Sequence, residues 1–173
     1  GQWFRYHHVF RSQIQKRKVK YLNDEQVSLL YKSASRWFEN QQLLEEALNY
    51  AIRSNDMAFA VNLFARHRIE LHNTEQIQRL NRLIDLFPSE ARDNHPEVLL
   101  SLAMLQDYYT NYAGMEDYLS RAAELLKAND PPNPNVKKLL GEFHSVKDIL
   151  FFILGDLDQS IVHSEKAMEL IPA

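Results

Sequence analysis

Residues 34–54 read Ala34-Ser35-Arg36-Trp37-Phe38-Glu39-Asn40-Gln41-Gln42-Leu43-Leu44-Glu45-Glu46-Ala47-Leu48-Asn49-Tyr50-Ala51-Ile52-Arg53-Ser54. Spacings of three and four place Leu44, Ala47, Leu48 and Ala51 on one side of a helix. A break near Gln41 separates that helix from the one before it, which carries Trp37 and Phe38 beside its own apolar stripe, where both are expected in the core. With Gln42 as the turn, small or apolar residues follow at fixed distances: Ala47, Ala51 and Ser54. The same offsets recur after Thr110, at Met115, Leu119 and Ala122, and after Gly155, at Ser160, Ser164 and Ala167.

Small residues at these offsets let the second helix of a pair approach the first closely, and each hairpin then buries its remaining apolar face on the next. The expected fold is therefore all-α: antiparallel helical hairpins stacked as a tetratricopeptide-like right-handed solenoid. The pattern departs from the ideal at Met115, where a small residue is usual. It departs again at Lys147 and Asp148, where the third hairpin asks for an apolar and a small side chain. An irregular helical bundle with accidental spacing is the competing reading.

Outward from this stretch, helical spacing continues nearly throughout, without the strict alternation of a half-buried strand. The spacing predicts a first helix over Phe4 to Lys18. Asn23-Asp24 supplies an N-cap for a second that reaches Asn40, with Val27, Leu30, Tyr31, Ala34 and Phe38 along one side. Leu43 to Arg53 follows, then a helix capped by Asn55-Asp56 that carries Met57, Ala60, Val61 and Phe64. Thr74 is expected to cap a fifth helix with Ile77, Leu80, Ile84 and Phe87, stopped by Pro88. Pro96 opens a sixth with Val98, Leu102, Leu105, Tyr109 and Tyr112. A seventh covers Gly114 to Lys127. Residues 129–135, rich in proline and asparagine, read as a stiff linker. Val136 to Leu154 and Asp156 to Leu170 complete nine expected helices.

Only four glycines and six prolines interrupt the 173 residues, so long helices are the natural outcome. The absence of cysteine excludes disulfides and thiolate metal sites and suits a cytoplasmic setting. No apolar run approaches the roughly 20 residues that span a bilayer, and no signal-peptide pattern opens the chain. No membrane association is expected. The chain also lacks an initiator Met and opens within an expected helix, as a fragment would. Residues 1–20 hold Arg5, Arg11, Lys16, Arg17, Lys18 and Lys20 and none of the 23 acids. A solvated face, or a seam to an acidic neighbour, accounts for six bases on one short helix better than nucleic acid does.

Three ordered segments carry a family resemblance. Trp3-Phe4-Arg5-Tyr6-His7-His8-Val9-Phe10-Arg11 resembles the YRYHHLFREFL helix near the end of the winged-helix domain in large ATP-dependent LuxR-type regulators of bacteria, which are signal-transduction NTPases. Ala34-Ser35-Arg36-Trp37-Phe38-Glu39, followed by Leu43-Leu44-Glu45-Glu46-Ala47-Leu48, resembles the hairpin that comes next in those proteins. Phe87-Pro88 with His95-Pro96-Glu97 is similar to their spaced proline pair. The resemblance covers residues 2 to about 128, and departs at Gln42, where the family usually has Gly. It implies that residues 1–20 are the last helix of a truncated winged-helix domain. It implies likewise that 21–128 are the first part of the helical-repeat sensor; that 129–135 are a linker and 136–173 a further hairpin rests on the prolines and the repeat spacing instead. The function it implies is non-catalytic: sensing a ligand or binding a protein, and transmitting the signal within a transcriptional regulator. The alternative is a free-standing tetratricopeptide-like adaptor that scaffolds protein partners.

The residues offer little enzymatic chemistry. Gly1, Gly114, Gly141 and Gly155 are isolated, so no phosphate-binding loop exists here. No cofactor is expected in this chain, and any ATP site of a full-length protein would lie elsewhere, as would its DNA-reading domain. Direct contact with nucleic acid is not expected. His7 and His8 are adjacent and diverge by about 100° on a helix, while His67 and His72 stand five apart, so neither pair suits one metal ion. No catalytic constellation is marked.

In a two-helix solenoid the first helix of each pair lines the concave surface. The repeat register puts Lys32, Arg36, Glu39 and Asn40 there from the first hairpin, Asp107, Tyr108 and Asn111 from the second, and Ser145 and Phe152 from the third. Charged ends, amides and two aromatic faces suit a peptide, a protein partner or a small polar inducer. Of Tyr108, Tyr109 and Tyr112, at least one must face away from the core, because neighbours on a helix point about 100° apart.

Overall fold

The computed structural model describes residues 22–128 and 132–170. The expected helix over Phe4 to Lys18, with His7 and His8, lies outside the described residues. Those residues form helices and the loops between them, and none of these helices is long and apolar enough to cross a membrane. The helices are α1 (Asp24–Asn40), α2 (Leu44–Arg53), α3 (Met57–Asn73), α4 (Ile77–Asp85), α5 (Ser89–Asn94), α6 (Pro96–Tyr108), α7 (Tyr112–Lys127), α8 (Pro134–Leu154) and α9 (Leu157–Leu170). The described residues divide into two compact units, one up to residue 60 and the other from residue 61.

In the first unit, α1 starts where Asn23 predicts. The Asn23 side chain accepts from the Gln26 amide at 2.8 Å, and the Gln26 side chain accepts from the Asn23 amide at 3.1 Å. This reciprocal capping box stabilises a helix start by about 1 kcal/mol. The buried face of α1 differs from the predicted stripe. Ser35 is its fully buried residue, whereas Val27, Tyr31, Ala34 and Phe38 are half-buried and Leu30 is exposed. Trp37, expected in the core, is 48% exposed. The reason is the closeness of α2, whose Leu44, Ala47, Leu48 and Ala51 are all buried. The Ser35 hydroxyl donates to the Ala47 carbonyl at 2.8 Å, so a small polar residue occupies the contact line and Trp37 is rotated off it. Phe38 instead stacks on Tyr50, with centroids 5.1 Å apart and planes 12° from parallel.

The turn from α1 to α2 is closed by a Schellman pair. Gln42, at φ 60°, donates to the Glu39 carbonyl at 2.9 Å, and Leu43 donates to that of Phe38 at 3.0 Å. A left-handed non-glycine residue costs about 1 kcal/mol, which Gln42 carries where Gly would not. Asp56 begins α3 by accepting from the Phe59 amide at 2.9 Å.

In the second unit, Phe64 of α3 meets Phe87 edge-on at 5.4 Å, and Ile77, Leu80 and Ile84 of α4 are buried as the spacing predicts. Thr74 does not cap α4. Its hydroxyl turns back to the Glu70 carbonyl at 2.7 Å and helps to end α3, while Glu75 takes the left-handed conformation. The short α5, which the apolar spacing does not announce, follows Pro88. Pro96 occupies the first turn of α6, and Asn133 caps α8 by accepting from the Val136 amide at 3.0 Å, two residues ahead of the expected start.

The core of this unit is built where α6, α7 and α8 meet, from Leu99, Leu100, Ala103, Met115, Leu119, Ala122, Val136, Leu139, Phe143 and Val146 among others. Two further hairpins, α6 with α7 and α8 with α9, repeat the α1–α2 pairing. Thr110 (φ 56°) and Gly155 (φ 81°) sit at their turns with the same two closing bonds: Thr110 to Asp107 and Asn111 to Gln106, then Gly155 to Phe152 and Asp156 to Phe151. Ala47, Ala51, Ser54, Met115, Leu119, Ala122, Ser160 and Ala167 are all buried at the predicted offsets, and Ser164 is half-buried.

Candidate functional site

The residues expected to bind fall into two groups, one in each unit. In the first, Lys32 and Arg36 lie one turn apart on α1 and converge on one ring. The Lys32 ammonium stands 5.7 Å and the Arg36 guanidinium 5.5 Å from the centroid of Phe59. Each such cation–ring contact contributes about 0.5–1 kcal/mol at an exposed site. Lys32 also pairs with Asp56 at 2.5 Å, and that bond, helped by the Phe59 amide, holds the Asp56 carboxyl below its usual range. Lys32 is thereby committed, whereas Arg36 is exposed. Glu39 is half-buried and Asn40 exposed.

In the second unit, Asp107, Tyr108 and Asn111 gather at the α6–α7 turn. Tyr108 is 64% exposed and meets Tyr109 edge-on at 5.3 Å. Tyr109 is exposed as well, and Tyr112 is the tyrosine that packs on the core. Asn111 serves the fold: it caps α7 by accepting from the Gly114 amide at 3.2 Å and donates to the Gln106 side chain at 2.7 Å. A Cβ on Gly114 would come within 2.4 Å of Asn111 Nδ2, so this cap depends on glycine there. Ser145 is half-buried, and its hydroxyl donates to the Gly141 carbonyl at 3.1 Å. Phe152, two turns further along α8, is 65% exposed.

Three polar constellations lie outside the expected binding residues. Arg68 of α3, 2% exposed, pairs with Glu142 of α8 and reaches Ser101 of α6 at 3.5 Å. Its Nε has no hydrogen-bond partner among the described residues. Replacing such a buried pair by apolar residues of similar volume is often neutral, whereas removing one partner alone costs about 3–5 kcal/mol.

His144 and His163 bring their Nδ1 atoms to 2.7 Å across the α8–α9 hairpin, with Phe151 stacked on His163. One ring must donate and the other accept, which requires a neutral ring. Burial, then His163, Lys166 and Lys147, push His144 down to about 4; burial, Lys147 and Lys166 lower His163 too, opposed by Asp148. Asp148 also accepts from Ser160. The repeat register held the signal for this last contact, since both residues occupy contact-line offsets. Nothing local in the sequence signals the other two. Among the described residues no group of three or more His, Asp or Glu side chains is placed to hold a metal ion.

No family model matches the chain. No solved structure matches it. Among curated proteins it is similar to the HTH-type transcriptional regulator MalT of Cronobacter sakazakii (strain ATCC BAA-894), with 24% identity over 172 residues. The match covers 99% of this chain but only 18% of that protein. The chain is thus an all-α segment distantly and partially similar to a transcriptional regulator several times its length.

Proposed function

We propose that this chain is a ligand-sensing or protein-interaction segment that transmits a signal within a LuxR-type bacterial transcriptional regulator, without catalytic activity of its own. The observation that carries this reading is the similarity to MalT along nearly the whole chain, and the repeated hairpin closure at Gln42, Thr110 and Gly155 supports it. Residues 1–20 are then the end of a winged-helix domain. Residues 21–128 and 136–173 are parts of a tetratricopeptide-like right-handed solenoid, with 129–135 as the link between them.

The residues that bind are Lys32, Arg36, Glu39 and Asn40 in the first unit and Asp107, Tyr108, Asn111, Ser145 and Phe152 in the second, each set at the concave-face positions of its own hairpins. Its partner is a small polar inducer, a peptide or a protein. DNA is met through a domain outside this chain, and ATP, where used, binds outside it too. The protein works in the cytoplasm.

The complete reading frame tests this. It is expected to encode a nucleotide-binding domain upstream and a helix-turn-helix domain downstream. A frame with neither refutes the regulator reading and favours a free-standing adaptor.

A further inference from the structure

His144 of α8 and His163 of α9 aim their Nδ1 atoms at each other across the hairpin, 2.7 Å apart. That contact needs one bare Nδ1 and one Nδ1–H, and the bare nitrogen of a neutral imidazole is the commonest metal ligand in proteins. Aromatic neighbours hold both rings in place. Phe143 meets His144 edge-on at 5.3 Å, and Phe151 stacks on His163 at 5.3 Å with planes 27° from parallel. Two ring nitrogens from different helices are therefore fixed in advance at half-buried positions that solvent still reaches.

We propose that this pair is a binding site for a zinc-class dication, held by Nδ1 of His144 and Nδ1 of His163 and completed by water. Tetrahedral zinc takes imidazole nitrogen at about 2.0–2.1 Å, which sets two such nitrogens roughly 3.3 Å apart. From 2.7 Å the rings need to part by only about half an ångström. The donor ring passes its Nδ1 proton to Nε2 through solvent, and both rings then turn a lone pair to the ion. Imidazole selects zinc, nickel or copper over magnesium and calcium, which seek oxygen. With two protein ligands, where a closed site has four, the ion is exchangeable. It clamps α8 to α9 one helical turn from the Ser160–Asp148 bond. Nearby charges set its strength: Lys147 and Lys166 act on both rings and oppose a dication, whereas Asp148 acts on His163 and favours it. The site shares no residue with the binding surface proposed above and is independent of it.

Long-range proton–nitrogen spectra of the histidine rings in the 173-residue chain, recorded as zinc chloride is added, test this directly. The Nδ1 resonances of His144 and His163 should move together to metal-bound positions, with both Nε2 atoms protonated, and saturate at one zinc per pair. Magnesium and calcium chloride should leave them unmoved. His144→Gln and His163→Gln should each weaken zinc at this site by at least about tenfold, since losing even an outer-shell partner costs that much. Lys166→Gln, at an exposed position, should instead tighten zinc severalfold, which a pair joined only by its hydrogen bond would not show. Zinc in molar excess that shifts other histidines alone, or that leaves both rings in their hydrogen-bonded form, overturns the proposal. Zinc affinity unchanged in both histidine variants overturns it as well.

Discussion

Ser160 of α9 donates its hydroxyl to the Asp148 carboxylate of α8 at 2.5 Å, across the α8–α9 hairpin. The same two positions hold Ser35 and Ala47 in the α1–α2 hairpin, joined by the Ser35 hydroxyl and the Ala47 carbonyl, and Ala103 and Met115, both buried, in α6–α7. One backbone arrangement therefore accepts a hydroxyl–carbonyl, an apolar or a hydroxyl–carboxylate solution. Removing one half should cost more than removing both. Ser160→Ala leaves a half-buried carboxylate without its donor and is expected to cost about 1–2 kcal/mol. The double change Asp148→Ala with Ser160→Ala should recover about 1 kcal/mol of that. Urea denaturation of both single variants and the double variant measures it, and strictly additive losses would show that the pair is not coupled.

Ala47 has no exposed surface, while its neighbour Glu46 faces solvent. Ala47→Leu is expected to force α1 and α2 apart and lose about 1–3 kcal/mol. Glu46→Leu should change stability by less than about 0.5 kcal/mol. Equal melting temperatures for Ala47→Leu and the parent would contradict the hairpin register.

Backbone strain gives a pair of opposite expectations. Gly155 sits at φ 81° with nothing within 4 Å of an added Cβ, so Gly155→Ala should cost about 1 kcal/mol through backbone conformation alone. Gln42→Gly, relieving the same conformation, should stabilise by about 0.5–1 kcal/mol. Thermal melts of both variants check the signs.

How far the sequence was legible follows from these cases. The turns at Gln42, Thr110 and Gly155 and the buried followers were readable because helix spacing is local, and each hairpin repeats it. Trp37 misled because the contact line of α1 runs through a serine, so the largest apolar residue was not the most buried. Thr74 misled because a threonine hydroxyl serves the end of one helix as readily as the start of another. The six-residue α5 carries a single buried side chain, Ala91, too little for any periodicity. At the candidate site, the exposure of Tyr108 and Phe152 followed from register. The ring of Phe59 beneath Lys32 and Arg36, and the His144–His163 pair, depend on where separate helices bring their side chains, which spacing along one helix does not encode.

The histidine pair predicts a pH dependence. Both folded pKa values lie below the ordinary 6.5, with His144 at about 4, so between those values the unfolded chain takes up protons that the folded hairpin refuses. Stability is then fully present above 6.5 and falls as pH drops toward 4. Urea midpoints measured across that window should decline, and His144→Gln should flatten the decline. A midpoint unchanged between about pH 7 and about 4.5 would contradict the neutral pair.

The residues proposed to bind lie on α1 in the first unit and on α6, the α6–α7 turn and α8 in the second. A thermal-shift screen of peptides and small polar molecules against the chain identifies a binder, and titration calorimetry then compares variants. Arg36→Ala and Tyr108→Ala are each expected to weaken binding about tenfold, since exposed arginine and tyrosine are the side chains that most often anchor a contact. Glu124→Ala, on the exposed side of α7, should leave affinity unchanged. Weakened binding for Glu124→Ala alone, with Arg36→Ala and Tyr108→Ala at parental affinity, would contradict the account.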